Sequence, residues 1–258
     1  MKFEMLLAGT AAALTLMTVM WVASVRRRNI TLIDRAWGPM FVAIALAYVV
    51  TASSVTARAV IVMILVAIWG LRLSIYLTAR DWGHREDWRH GRLREQWGSS
   101  TAWRSLVIVF WFQAFAAVCV ATPVLAVFRS HQPPLGVLDI IGIIVWSIGF
   151  TFEAIGDHQL ARFRAARISN ERFLATGLRR YTRHPSYFGD ALQWWGLGLL
   201  GLAAGAWWSL LGPLAMTLVL LRVTGVAVMD AHLKATRGSA YIDYVRRTSS
   251  FLPRPPSP

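Results

Sequence analysis

Apolar runs of about 20 residues, the length of helix that crosses the hydrocarbon core of a bilayer, recur along this chain between short segments dense in arginine. Hydrophobic residues make up 56% of the 258, which leaves too little polar surface to cover a soluble domain. Residues 4–25, 32–50, 58–79, 105–128 and 136–160 each predict one span, and the stretch 187–228 predicts two with a turn over 204–213. The expected fold is all-α: a polytopic integral membrane bundle of about seven transmembrane helices, forming a single membrane domain over residues 1–258.

Charge placement sets the expected orientation. The first run ends in Arg26-Arg27-Arg28, whereas a cleaved signal peptide carries its charge before the apolar core, so a retained helix is predicted. With the N-terminus outside, the segments 80–104 and 162–183 and the tail 230–258 all fall on the cytoplasmic side, and these hold most of the arginines. The segment 80–104 has both signs of charge and predicts an interfacial helix anchored by Trp82, Trp88 and Trp97. The net charge of +14 is confined to short segments beside apolar runs, so anionic membrane lipid is the expected partner and nucleic acid is not.

Several familiar motifs are present only in letter. Gly196-Leu-Gly198-Leu-Leu-Gly201 spells a dinucleotide fingerprint, but inside an apolar helix its N–H groups are already bonded, so close helix packing is predicted. Cys119 stands alone, which excludes an internal disulfide, and the histidine spacing predicts no metal site.

The more informative residues are ionisable groups in or at the ends of spans: Asp34, Arg72, Glu153, Asp157, Asp190, Arg222 and Asp230. Facing lipid, each would cost a few kcal/mol, so a polar chamber opening to the cytoplasm is expected. Glu153, Asp157, Leu160 and Arg164 share one helix face if that helix continues beyond the membrane. The segment 177–190 then brings several arginines to a helix start at Pro185, an arrangement that suits an anion. Arginines and carboxylates together fit a nucleotide, whose phosphates need cations and whose hydroxyls need acceptors.

With these residues in view, Glu153 to Asp190, Trp69-Gly-Leu-Arg72 and the tail to Pro253 resemble the steroid 5α-reductase superfamily, and in particular bacterial membrane proteins that share its C-terminal domain. The Arg183–Gly189 core (Arg-His-Pro-x-Tyr-x-Gly) is also similar to the isoprenylcysteine carboxyl methyltransferases and to sterol reductases. The resemblance implies a bacterial inner-membrane protein with NADPH held by residues 150–258 in a chamber open to the cytoplasm. Glu153, Asp157, Arg164, Arg172, Ser186, Tyr187, Asp190 and Arg222 are the implied cofactor-binding residues. Ser186 stands where the family has Asn, and Asp190 where it has Glu. On the second span Ile33-Asp34 replaces a Gln-Glu pair, and Trp69 replaces a Tyr.

The expected activity is reduction of an activated C=C bond in a lipophilic substrate, with Asp34 in an apolar pocket as the acid and Trp69 as the pocket wall. Two alternatives are an S-adenosylmethionine-dependent methyltransferase and a non-enzymatic lipid-binding membrane protein.

Overall fold

The computed structural model describes residues 3–83, 86–128, 132–166, 173–223 and 225–256. Helices dominate the described residues, joined by one isolated bridge between Thr182 and Ser249. Six helices are long and apolar enough to cross a membrane: Phe3–Arg27, Leu32–Thr51, Ala57–Asp81, Trp88–Val120, Val137–Ala166 and Trp207–Arg237. The chain is thus an all-α, polytopic integral membrane protein.

In chain order the helices are α1 (Phe3–Arg27), α2 (Leu32–Thr51), α3 (Ala57–Asp81), α4 (Trp88–Trp97), α5 (Thr101–Ser105), α6 (Phe112–Val120) and α7 (Thr122–Ala126). They continue with α8 (Val137–Ala166), α9 (Pro185–Ala203), α10 (Leu211–Leu218), α11 (Val226–Arg237) and α12 (Ser239–Arg247). Wider π-type turns join α5 to α6 at Leu106–Trp111 and extend α10 over Val219–Val223. The sequence predicts a span beginning at 187. Helix α9 occupies that place but is not among the six, because Asp190, Gln193 and its glycines lower its hydropathy.

The chain divides into two compact units, residues 1–135 with 200–211, and residues 136–199 with 212–258. In the first, α1 buries Met5, Gly9, Ala13 and Met17, a stripe of i+4 steps. Tyr48 of α2 lies over Gly9, filling the space a Cβ would take. Helices α2 and α3 meet backbone to backbone at Gly38 and Gly70, where neither residue has room for a side chain. Beside that contact Phe41 and Trp69 pack edge to face, with centroids 5.4 Å apart. Leu46, Ile64, Ile68 and Ile75 stay exposed, as expected of helices whose outer face meets lipid rather than water.

The segment 80–104, where the sequence predicts a helix, contains α4. It is tied to the α1–α2 turn, where Arg28 takes a left-handed φ of 50°. Glu86 accepts from the Ile30 N–H and from Arg94 Nε at 2.8 Å, while Asp87 N–H donates to Thr31 Oγ1 at 2.8 Å. Partial burial pushes the Glu86 carboxyl up, but the Arg94 guanidinium and the Ile30 N–H outweigh it and hold the group below its ordinary 4.5. A lowered folded value means that this contact is complete above pH 4.5 and weakens as Glu86 protonates below it. The protection factor of the Ile30 amide, its exchange rate relative to the intrinsic rate at the same pH, should therefore fall below that pH. Arg94→Ala should lower it at neutral pH and flatten the profile.

Candidate active site

In the first unit the two residues expected at the reacting centre have other surroundings. Asp34 Oδ2 lies 3.7 Å from both Arg80 Nη2 and Arg89 Nη2. Two guanidinium groups thus stand beside the carboxyl that the sequence predicts in an apolar pocket. The reason is geometric: α3 continues to Asp81 and α4 follows closely, so both helix ends bring cations to the start of α2. Trp69 is 1% exposed and packs into the α2–α3 core against Phe41, whereas the sequence predicts it as the wall of a pocket.

The second unit is organised by α8. Its buried residues Gly142, Trp146, Gly149, Glu153, Gly156 and Asp157 follow i+3 and i+4 steps and form one stripe. Helix α9 runs antiparallel along that stripe. Gly196 lies against Gly142 and Trp146, Gly189 against Gly149 and Glu153, and Ser186 with Pro185 against Gly156. A Cβ on Gly189 would fall 2.5 Å from the Glu153 amide nitrogen. The glycines that spell a fingerprint thus serve packing: Gly196 here, and Gly201 against Ser209 and Ala126 within the first unit.

This close approach brings buried polar side chains together. Glu153, Asp157, Asp190 and Gln193 are all buried. Gln193 Nε2 donates to Glu153 Oε2 at 2.6 Å and to the Gly189 carbonyl at 3.3 Å. Its Oε1 is buried without a hydrogen-bond partner, and so is Ser186 Oγ. Tyr187 stacks on His184 with centroids 5.5 Å apart and planes 12° apart. Of the predicted cofactor residues, Glu153, Asp157, Ser186, Tyr187 and Asp190 therefore lie on or beside one helix–helix seam.

Two of the predicted cations are exposed where these groups are buried. Helix α8 does extend to Ala166, but Arg164 on its last turn is exposed. At 30 residues, this helix outruns a hydrocarbon core of about 30 Å, which carries its end into water. Arg222, on the π-type segment after α10, is exposed as well. Arg172 lies outside the described residues.

A second buried cluster stands at the start of α9. Asp230 of α11 accepts from Arg183, whose Nε is 3.3 Å from Oδ1 and whose Nη2 binds Oδ2. Its Oδ1 also meets His184 Nε2 at 2.9 Å and the Tyr241 hydroxyl at 2.8 Å. Arg183 further donates to the Val245 carbonyl at 3.2 Å and to that of Thr248, tying the segment before α9 to the end of α12. Burial pushes His184 below its ordinary value despite the Asp230 contact. Burial and then the Asp230 carboxylate push the Tyr241 phenol up, so it remains a neutral donor.

Sequence reasoning marks Asp230 and the Arg183-His184 pair separately but does not pair them. They are 46 and 47 positions apart, and the only joining signal is a second ring, Tyr241, in the tail.

A family model described as a protein of unknown function, DUF1295, matches residues 20–248. The chain belongs to the DUF1295 family. The matched stretch takes in both the α8–α9 seam and the Asp230 cluster, so these are features of the DUF1295 region itself. An uncharacterized protein of Schizosaccharomyces pombe is 25% identical over 241 residues, covering 79% of this chain and 69% of the relative. No solved structure matches the chain.

Proposed function

We propose that this DUF1295 protein is a membrane-embedded, NADPH-dependent reductase of an activated C=C bond in a lipophilic substrate, related to the steroid 5α-reductase superfamily. The observation that carries the reading is the buried polar seam between α8 and α9, where Glu153, Asp157, Asp190 and Gln193 are all withdrawn from solvent. Buried polar groups in an apolar helix pair are kept only with hydrogen-bond partners, as Gln193 is with Glu153. The vacant hydrogen-bonding positions on Ser186 Oγ and Gln193 Oε1 suit the hydroxyls and amide of a dinucleotide.

The residues fit such a cofactor in kind. Gln193, held by Glu153, presents its carbonyl oxygen in a fixed orientation. Ser186 Oγ can donate to or accept from a ribose or carboxamide group. Arg183 and His184 are held by Asp230, which keeps the start of α9 rigid. Bound NADPH would supply hydride to the β-carbon of the substrate.

A second reading is an S-adenosylmethionine-dependent methyltransferase. Buried carboxylates at the seam, with Arg164 and Arg222 exposed, favour a cofactor that lacks phosphate and carries positive charge.

Fluorescence titration of the purified protein in detergent separates the two. Ser186 Oγ has no hydrogen bond to lose, so Ser186→Ala should fold normally. The reductase reading expects saturable NADPH binding, weakened about tenfold in Ser186→Ala, since one hydrogen bond is worth about 1.4 kcal/mol. No saturation by folded protein, or displacement of NADPH by S-adenosylmethionine, would overturn it.

A further inference from the structure

The second unit also holds a surface groove of about 430 Å³ that lies apart in sequence from the polar seam residues. It is lined by Phe173, Arg180, Tyr244, Arg247, Thr248 and Pro256, among others. Its aromatic wall is well fixed. Phe173 packs on Tyr244 at 5.4 Å and edge-on to Tyr241 at 5.2 Å, and the Tyr244 hydroxyl donates to the Arg179 carbonyl.

The charge of the groove is uncompensated. The carbonyls of Val245 and Thr248 at the end of α12 accept from Arg183, so they do not satisfy Arg180 or Arg247. Asp243 on the same helix pairs with Arg246 at 3.4 Å. Among the described residues, neither Arg180 nor Arg247 makes an ion pair, and both are exposed. Two guanidinium groups beside a threonine and two rings can take a phosphate bidentately.

The surroundings indicate where such a phosphate comes from. The chain spans a membrane, and the groove adjoins the start of α9 and the segment that follows α11. Exposed apolar side chains stand in the same region: Tyr181 next to Arg180, Ile242 on α12, and Leu252 in the tail, which returns to Tyr181 through the Arg254 N–H. Cations interleaved with exposed apolar groups at the end of spanning helices form an interfacial pattern, suited to a charged headgroup with acyl chains below it.

We propose that this groove is a binding site for the phosphate of an anionic membrane phospholipid, with Arg180 and Arg247 as its clamp. The site is independent of the reductase reading, because none of its residues lies on the α8–α9 seam.

Native mass spectrometry of the full-length protein from mixed micelles tests it, using phosphatidylglycerol and, separately, phosphatidylcholine as probes. The expected result is retention of phosphatidylglycerol over phosphatidylcholine. Retention should fall about tenfold or more in the Arg180→Gln/Arg247→Gln double variant and persist in Arg246→Gln, which removes one positive charge from the same helix as Arg247, outside the groove. Where the double variant fails to fold, Arg180→Lys/Arg247→Lys keeps the charge and should still lose affinity through the lost bidentate geometry. Equal retention in the glutamine double variant, an equal loss in Arg246→Gln, or inorganic phosphate binding as tightly as phosphatidylglycerol would overturn the proposal.

Discussion

Asp230→Ala is expected to destabilise the protein by about 3–5 kcal/mol, the range for removing one partner of a buried ion pair. The side chains of Arg183 and Asp230 are only 7% and 11% exposed, so Arg183 would keep its charge in a place that water reaches poorly. His184 and Tyr241 would lose their acceptor in the same step. The loss should spread to the tail, because Arg183 also holds the carbonyls that close α12. Chemical unfolding in detergent, followed by tryptophan fluorescence, measures the effect. Asp243→Ala is the control, since its pair with Arg246 is solvent-exposed and worth about 0–1 kcal/mol. If Asp230→Ala costs no more than Asp243→Ala, the cluster is not what anchors the start of α9.

Gly189→Ala carries the second large effect, on ligand binding as well as on stability. The added methyl would meet the Glu153 amide nitrogen and the Gly149 carbonyl, both 2.5 Å away. These are backbone atoms of a continuous helix and cannot rotate aside, so α9 must shift away from α8. Overpacking of this kind costs about 1–3 kcal/mol. The displacement would also move Ser186 and Gln193 relative to Glu153, and a misplacement of about 1 Å can cost about a hundredfold in function. Folded Gly189→Ala protein should therefore lose NADPH binding far more severely than Ser186→Ala. Undiminished binding in Gly189→Ala would show that the seam geometry is irrelevant to the ligand.

The architecture was largely legible in the sequence because its causes are local. Runs such as 4–25 and 58–79 announce spanning helices by length and hydropathy alone. Helix α9 was harder to judge, since Asp190 and Gln193 make it polar in order to face α8. The same spacing logic placed Glu153 and Asp157 on one buried stripe. Arg164 continues that face on the last turn of α8, where it is exposed, and Arg222 is exposed as well. The cations Arg80 and Arg89 beside Asp34 come from other helices, and the pairing of Asp230 with Arg183 likewise depends on tertiary contact.

The dinucleotide assignment is tested most directly by an experimental structure of the purified protein with NADPH added. Density for the cofactor should lie along α8 and α9, with hydrogen bonds to Ser186 Oγ and Gln193 Oε1. A fully liganded structure with the dinucleotide elsewhere, or a seam whose vacant positions are filled by the protein's own side chains while NADPH stays unbound, would contradict it.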